Sequence, residues 1–214
     1  MRKTIFGSRI KSQQIEPLEM EIEKPQQNSL PAPFPMDIEV VQNRIYFYSD
    51  INEEKILYLN KSLRELRNKV LHESIVAEGP VMPIYLHINS GGGTIVDAMS
   101  TMDDVLKFNQ QTPITTIVDG FSASAATFIS IVGNRRLIKR NSLMLIHQLS
   151  SGFWGTYENF NDNKQNLDLL MTMIKSVYKK YTKLPVKILN EILKRDLYIT
   201  ATDAIKYGLA DDYY

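Results

Sequence analysis

Between Arg44 and Ile146, short runs rich in β-branched and aromatic residues alternate with longer stretches of helical period. No other feature restricts the fold as strongly. Arg44-Ile-Tyr-Phe-Tyr48 reads as a strand, and Ile56, Leu59, Leu63, Leu66 and Val70 then recur at helical spacing. Asp50 with Glu53 is the expected capping pair of that helix, and Lys61, Arg64, Arg67 and Lys69 form its solvated face. Pro83-Ile-Tyr-Leu-His-Ile88 is the next strand, followed by a helix from Thr94 to Phe108 with Ala98, Met102 and Val105 on one side. Ile114–Val118 is a third strand, after which Phe128, Ile129 and Ile131 mark a buried helix. Arg136–Lys139 and Leu143–Ile146 read as two short strands. Strand and helix taking turns in this way predict an α/β fold, a mainly parallel sheet with helices packed on it.

The two ends of the chain differ from this middle. Towards the C-terminus Leu167, Leu170, Met171, Ile174, Val177 and Tyr181 share the apolar stripe of a long helix, and a shorter helix covers Val186–Leu193. Thr200 with Asp203 is expected to cap a last helix that Gly208 closes. Residues 1–36 hold five of the nine prolines (Pro17, Pro25, Pro31, Pro33, Pro35), with Arg2, Lys3, Arg9 and Lys11 ahead of Glu16, Glu19, Glu21 and Glu23. Proline removes backbone donors and extends the chain, so this segment is expected to be an arm, a loop or a disordered leader. It reads equally as a propeptide or docking arm and as a tolerated tail, ahead of one domain over residues 37–214.

Composition narrows the chemistry. A net charge of +1 argues against a fold dominated by a nucleic-acid surface. With no cysteine there is no disulfide, thiol nucleophile or cysteine metal site, and neither metal nor cofactor is expected. No apolar run approaches the length of a membrane span, and the first residues lack the apolar core of a signal peptide, so a cytoplasmic location is expected.

Four segments carry candidate chemistry. In Gly120-Phe-Ser-Ala-Ser124-Ala a serine stands where a strand turns into a helix, among small neighbours that let a substrate backbone approach. Free N–H groups and the dipole at such a helix start stabilise negative charge beside the hydroxyl. The small residues are equally consistent with tight helix–sheet packing. Gly91-Gly92-Gly93, at a strand end before a helix, lets backbone N–H groups face a phosphate or an oxyanion, although a tight turn explains it as well. It matches neither the P-loop nor Gly-x-Gly-x-x-Gly. His147 ends an apolar strand, where α/β sheets place ligands, while His72 and His87 read as structural. Asp196, in Lys194-Arg-Asp196, is either a surface charge or the carboxylate that orients an imidazole.

Asn89-Ser-Gly-Gly-Gly93, Gly120-Phe-Ser-Ala-Ser124-Ala, Leu145-Ile-His147-Gln148, Lys194-Arg-Asp196 and Ala204-Ile-Lys-Tyr-Gly-Leu-Ala-Asp211 together resemble, in order, the motifs of the Clp protease proteolytic subunit family. The resemblance runs from Arg44 to Asp211. It implies a crotonase-type α/β fold with a helical handle, and a serine endopeptidase with Ser124 as nucleophile, His147 as general base and Asp196 as orienting acid. It places the oxyanion hole at the N–H groups of Gly93 and Ala125. Peptide would lie beside Thr94 and Ile95 and against Ser150, Ser151 and Gly152, where the handle begins. The implied assembly is two stacked heptameric rings around a chamber, supplied with polypeptide by a AAA+ unfoldase. The order Ser…His…Asp differs from the α/β-hydrolase order, and no Gly-x-Ser-x-Gly is present. Gly91 stands where the family has proline, and Leu149-Ser150 replace its Pro-Leu. Rival readings are a crotonase-type acyl-CoA hydratase or isomerase, a non-catalytic ring subunit, and a specialised protease, such as one acting on viral scaffold proteins, that works without an unfoldase.

Overall fold

Chain order runs β1 (Ile38–Val41), β2 (Arg44–Phe47), α1 (Glu53–Val76), β3 (Ile84–Ser90), α2 (Ile95–Phe108), β4 (Ile114–Ala123) and α3 (Ala126–Ser130). It continues through β5 (Arg135–Ile138), β6 (Leu143–Leu145), α4 (Tyr157–Tyr181), α5 (Val186–Ile192), β7 (Tyr198–Thr200), α6 (Ala201–Lys206) and β8 (Asp212–Tyr213). The structure is a computed structural model that describes residues 37–214; the arm expected over residues 1–36 lies outside them.

The sheet has the order β1-β2-β3-β4-β5-β8, with every neighbour from β2 onward parallel and β1 antiparallel at the edge. Ile45, Phe47, Ile84, Leu86, Ile88, Ile114 and Ile117 are fully buried, because helices cover the β-branched runs that parallel strands require. Strand β4 forks. Its first half pairs with β5 and its last three residues pair with β6, which in turn pairs antiparallel with β7. A register shift between β3 and β4 sits at this fork: Ile88 faces Val118, but Ser90 faces Ser122. The serine-bearing end of β4 therefore parts from β5 and runs between β3 and β6.

Several expectations change in detail. Helix α1 is capped by Asn52, whose side chain accepts from the Lys55 N–H at 2.9 Å, and not by Asp50. Starting at Glu53 places Glu53 and Glu54 in the first turn, where the helix dipole favours them. Strand β4 runs on to Ala123 because side chains complete its ladder: Asn89 Oδ1 accepts from the Phe121 N–H at 3.0 Å and Ser142 Oγ from the Gly120 N–H at 2.9 Å. Helix α4 begins at Tyr157, capped by Thr156, and of its residues only Ile174, Val177 and Tyr178 are buried. The expected stripe is thus covered at its C-terminal end alone. Strands β1, β7 and β8, of four, three and two residues, are too short to carry a periodic signal. Thr200 caps α6 as expected, accepting from the Asp203 N–H at 3.2 Å.

A buried polar cluster joins β2, β3 and β4. His87 Nδ1 lies 3.1 Å from Asp119 Oδ2 and Nε2 lies 3.0 Å from an Arg44 nitrogen, while Tyr46 stacks on the ring at 4.5 Å. Tyr48 and Lys139 also hold Asp119, whose side chain is 4% exposed. Arg44 can only donate, so the tautomer that satisfies both contacts carries its proton on Nδ1. Burial, with Arg44 and Lys139 adding to it and Asp119 opposing, holds the His87 pKa below the ordinary imidazole value of 6.5. The unfolded chain therefore takes up a proton that the folded chain refuses. This contribution to stability is complete above about pH 6.5 and is lost as the pH falls below it. Thermal denaturation followed between about pH 7.5 and pH 5.5 is expected to show Tm falling with pH, and His87→Gln to flatten that slope. An unchanged slope in the variant would assign the acid sensitivity elsewhere.

Candidate active site

The C-terminal ends of parallel strands β4 and β6 lie side by side, with Ala123 opposite Leu145. One residue further on, the chain at Ser124 turns sharply: its φ is +51°, left-handed for a residue other than glycine. The Ser124 N–H donates to Leu145 O at 2.8 Å, which ties the serine to the strand that ends at His147's doorstep. Strained serines at strand-to-helix turns present their hydroxyl outward, as in nucleophile elbows. Ser122, by contrast, is fully buried, its Oγ 3.3 Å from Ser130 Oγ.

Directly over the serine lies the glycine loop. Gly92 has φ +95°, and a Cβ there would stand 2.6 Å from Ala123 O and 2.7 Å from Ser124 Cβ. Only glycine allows the two turns to touch this closely. Gly93 is stitched to Ile51 by a parallel bridge, with Ile51 N–H donating to Gly92 O at 2.7 Å and Thr94 N–H to Ile51 O at 3.0 Å. Among the described residues the N–H groups of Gly93 and Ala125 find no protein acceptor, although both residues line the cleft that holds Ser124.

His147 follows β6 at the same end. Strand pairing between β6 and β7 sets Leu145 against Tyr198; continued by two residues, that antiparallel register puts His147 across from Asp196. The contact is there, His147 Nδ1 lying 3.4 Å from Asp196 Oδ1, with the carboxylate side chain 80% exposed. Gln148 N–H donates to Leu193 O at 2.7 Å and fixes the chain just past the imidazole. Among the described residues no hydrogen bond joins Ser124 Oγ to His147. Catalytic hydrogen bonds are often long in unliganded sites and tighten with substrate bound.

The cleft holds about 270 Å³ and brings together Gly93, Ile95, Ser124, Ala125, His147 and Ser150 among the residues singled out in the sequence. Asp196 stands behind the imidazole, and Thr94, Ser151 and Gly152 lie outside the cleft wall: Thr94 precedes α2, and the other two are exposed. The floor consists of Phe128 from α3 with Ile174 and Tyr178 from α4. Tyr178 escaped the sequence reading, yet it sits four residues after Ile174 and three before Tyr181, on the stripe already recognised. Among the described residues no group of His, Asp and Glu side chains is arranged to hold a metal ion, and no helix is long and apolar enough to cross a membrane.

An apolar floor, a serine on a strained turn, two unpartnered amides and an imidazole backed by a carboxylate suit acyl transfer from a carbonyl held in the cleft. Comparison with known proteins falls on the same segments. The Clp protease family profile matches residues 41–213. The ATP-dependent Clp protease proteolytic subunit of Ostreococcus tauri is 31% identical over 169 residues, covering 77% of this chain and 84% of that protein.

Proposed function

The chain belongs to the Clp protease family and is a serine peptidase, and we propose that it cleaves peptide bonds with Ser124 as nucleophile, His147 as general base and Asp196 as the carboxylate that orients the imidazole. The observation that carries this reading is the left-handed turn at Ser124 beside the unpartnered N–H groups of Gly93 and Ala125. With Nδ1 turned towards Asp196, Nε2 is the nitrogen left to take the hydroxyl proton. Ser124 Oγ then attacks the carbonyl carbon, and the resulting oxyanion accepts from Gly93 and Ala125. Donors of this kind lower the barrier by roughly 3–4 kcal/mol each in other proteases. His147 returns its proton to the leaving amine, and water, deprotonated by the same imidazole, releases the acyl group. Ile95 and Ser150 line the cleft, the path we propose for the peptide continues past Thr94, Ser151 and Gly152 beyond its wall, and the floor of Phe128, Ile174 and Tyr178 suits an apolar side chain.

The assembly we propose is two stacked heptameric rings in the cytoplasm, served by a AAA+ unfoldase. Exposed Trp154, Tyr157, Phe160 and Leu169, on the segment before α4 and on its N-terminal half, support burial between subunits. Native mass combined with fluorophosphonate labelling tests the whole reading. A ring labelled at Ser124 that cleaves peptides is the expected result. An unlabelled ring would mean a non-catalytic subunit, and a monomer cleaving at full rate at micromolar concentration would remove the ring.

A further inference from the structure

Behind the nucleophile lies a buried polar pair that the steps above do not use. Thr127 Oγ1 is 2.6 Å from Ser124 O and 2.6 Å from the Tyr178 hydroxyl. Thr127 is fully buried and Tyr178 is 1% exposed, so no water competes for these bonds. Their direction follows from chemistry. A carbonyl oxygen only accepts, so Thr127 Oγ1 donates to Ser124 O; its lone pairs then accept, and Tyr178 is the donor. The Thr127 N–H reaches the same carbonyl at 3.1 Å.

Ser124 C=O and Ala125 N–H belong to one peptide unit. That unit is planar and trans, so its carbonyl and its N–H point in opposite directions. Holding the carbonyl down into α3 aims the amide out, towards the cleft. Ser124 sits in a left-handed conformation that a non-glycine residue keeps only when its surroundings impose it. Leu145 O fixes the N–H before the serine, at 2.8 Å, and the Thr127 hydroxyl and N–H fix the carbonyl after it.

We propose that Tyr178 and Thr127 form a one-way hydroxyl relay that sets the peptide plane between Ser124 and Ala125, and so aims the Ala125 N–H at the oxyanion. Both are positioning residues, and the proposal rests on Ser124 being the nucleophile. Burial pushes the Tyr178 hydroxyl well above its ordinary pKa, so it remains a donor throughout the neutral range. A donor that matters in the transition state acts on kcat and leaves KM alone.

The test compares the full-length protein with Thr127→Val, Thr127→Ser, Tyr178→Phe and the double variant Thr127→Val/Tyr178→Phe. Peptide kinetics are measured together with affinity for a peptide boronic acid, whose tetrahedral adduct places an oxygen in the oxyanion position. Thr127→Val and Tyr178→Phe are expected to lower kcat by about ten- to a hundredfold, the range of misplaced catalytic geometry, with KM within twofold. Boronate affinity should fall in parallel, Thr127→Ser should restore most of the rate, and the double variant should be no slower than Thr127→Val. Variants with a lower Tm but unchanged kcat and boronate affinity would overturn the relay and leave the pair as a tie between α3 and α4. Should Thr127→Val not fold, Tyr178→Phe, which deletes one oxygen at the far end, decides alone. Fluorophosphonate labelling of Ser124 in the unaltered protein separates the two levels. A labelled Ser124 with indifferent variants overturns the relay alone, whereas an unlabelled Ser124 overturns the nucleophile and the relay with it.

Discussion

Replacing Ser124 by alanine is expected to remove peptide hydrolysis, lowering kcat on the order of a millionfold, as loss of the nucleophile does in another serine protease. The fold should survive. The serine side chain is half-buried in the cleft, and what fixes the turn is its backbone, bonded to Leu145 and Thr127, which alanine retains. Ser122→Ala is the control, because Ser122 lies two residues away with its hydroxyl on Ser130 and no access to the cleft. Kinetics with a fluorogenic peptide, alongside circular dichroism of each variant, make the comparison. Turnover that persists in Ser124→Ala and vanishes in Ser122→Ala would place the nucleophile at the wrong serine.

His147→Ala is expected to cost nearly as much as Ser124→Ala, and Asp196→Ala distinctly less. Serine and base act as one unit, so removing either removes most of what the pair achieves. The orienting carboxylate contributes about a hundredfold less in a related case, and here its hold is looser still. Asp196 is 80% exposed and 3.4 Å from Nδ1, so water screens its charge and no short hydrogen bond locks the ring. Part of the orientation of His147 comes instead from the backbone, through Gln148 N–H on Leu193 O. The same peptide assay ranks the three variants. A loss in Asp196→Ala equal to that in His147→Ala would mean that the carboxylate is sealed from water in the working assembly.

The legible parts of the sequence were those where one physical requirement dominates. Pro83–Ile88 and Ile114–Val118 announce parallel strands because both faces are covered and β-branched, aromatic and aliphatic residues predominate. Ser124, His147 and the glycine loop were readable because each stands at the end of such a strand. What remained hidden depends on distant partners. The extension of β4 to Ala123 relies on Asn89 and Ser142, which lie 32 and 22 residues away from the groups they satisfy. Asn52 displaced Asp50 as cap by a choice between neighbours with similar chemistry. His87 read as structural, and it is, but nothing local marks Arg44 and Asp119 as the partners of its two ring nitrogens. The peptide-side residues Ser151 and Gly152 came from resemblance alone, and the cleft does not include them.

The fork in β4 also obeys a rule of parity. Across the step at Asp119–Phe121 the partner offset grows from 30, Ile88 against Val118, to 32, Ser90 against Ser122. A strand's side chains alternate between two faces, so a shift of two restores the alternation that a shift of one reverses. Thr116 and Ser122, on opposite sides of the step, accordingly both reach Ser130. The stretch of chain that parts the serine-bearing end of β4 from β5 thus counts in pairs. One residue gained or lost between Val118 and Ser122, unless a bulge absorbed it, would exchange the two faces of the end of β4 and turn Ser122 away from Ser130. Two residues would only move the same site along its axis. An odd change in length at this point of the chain therefore needs a bulge to keep the site on its face, whereas an even one does not.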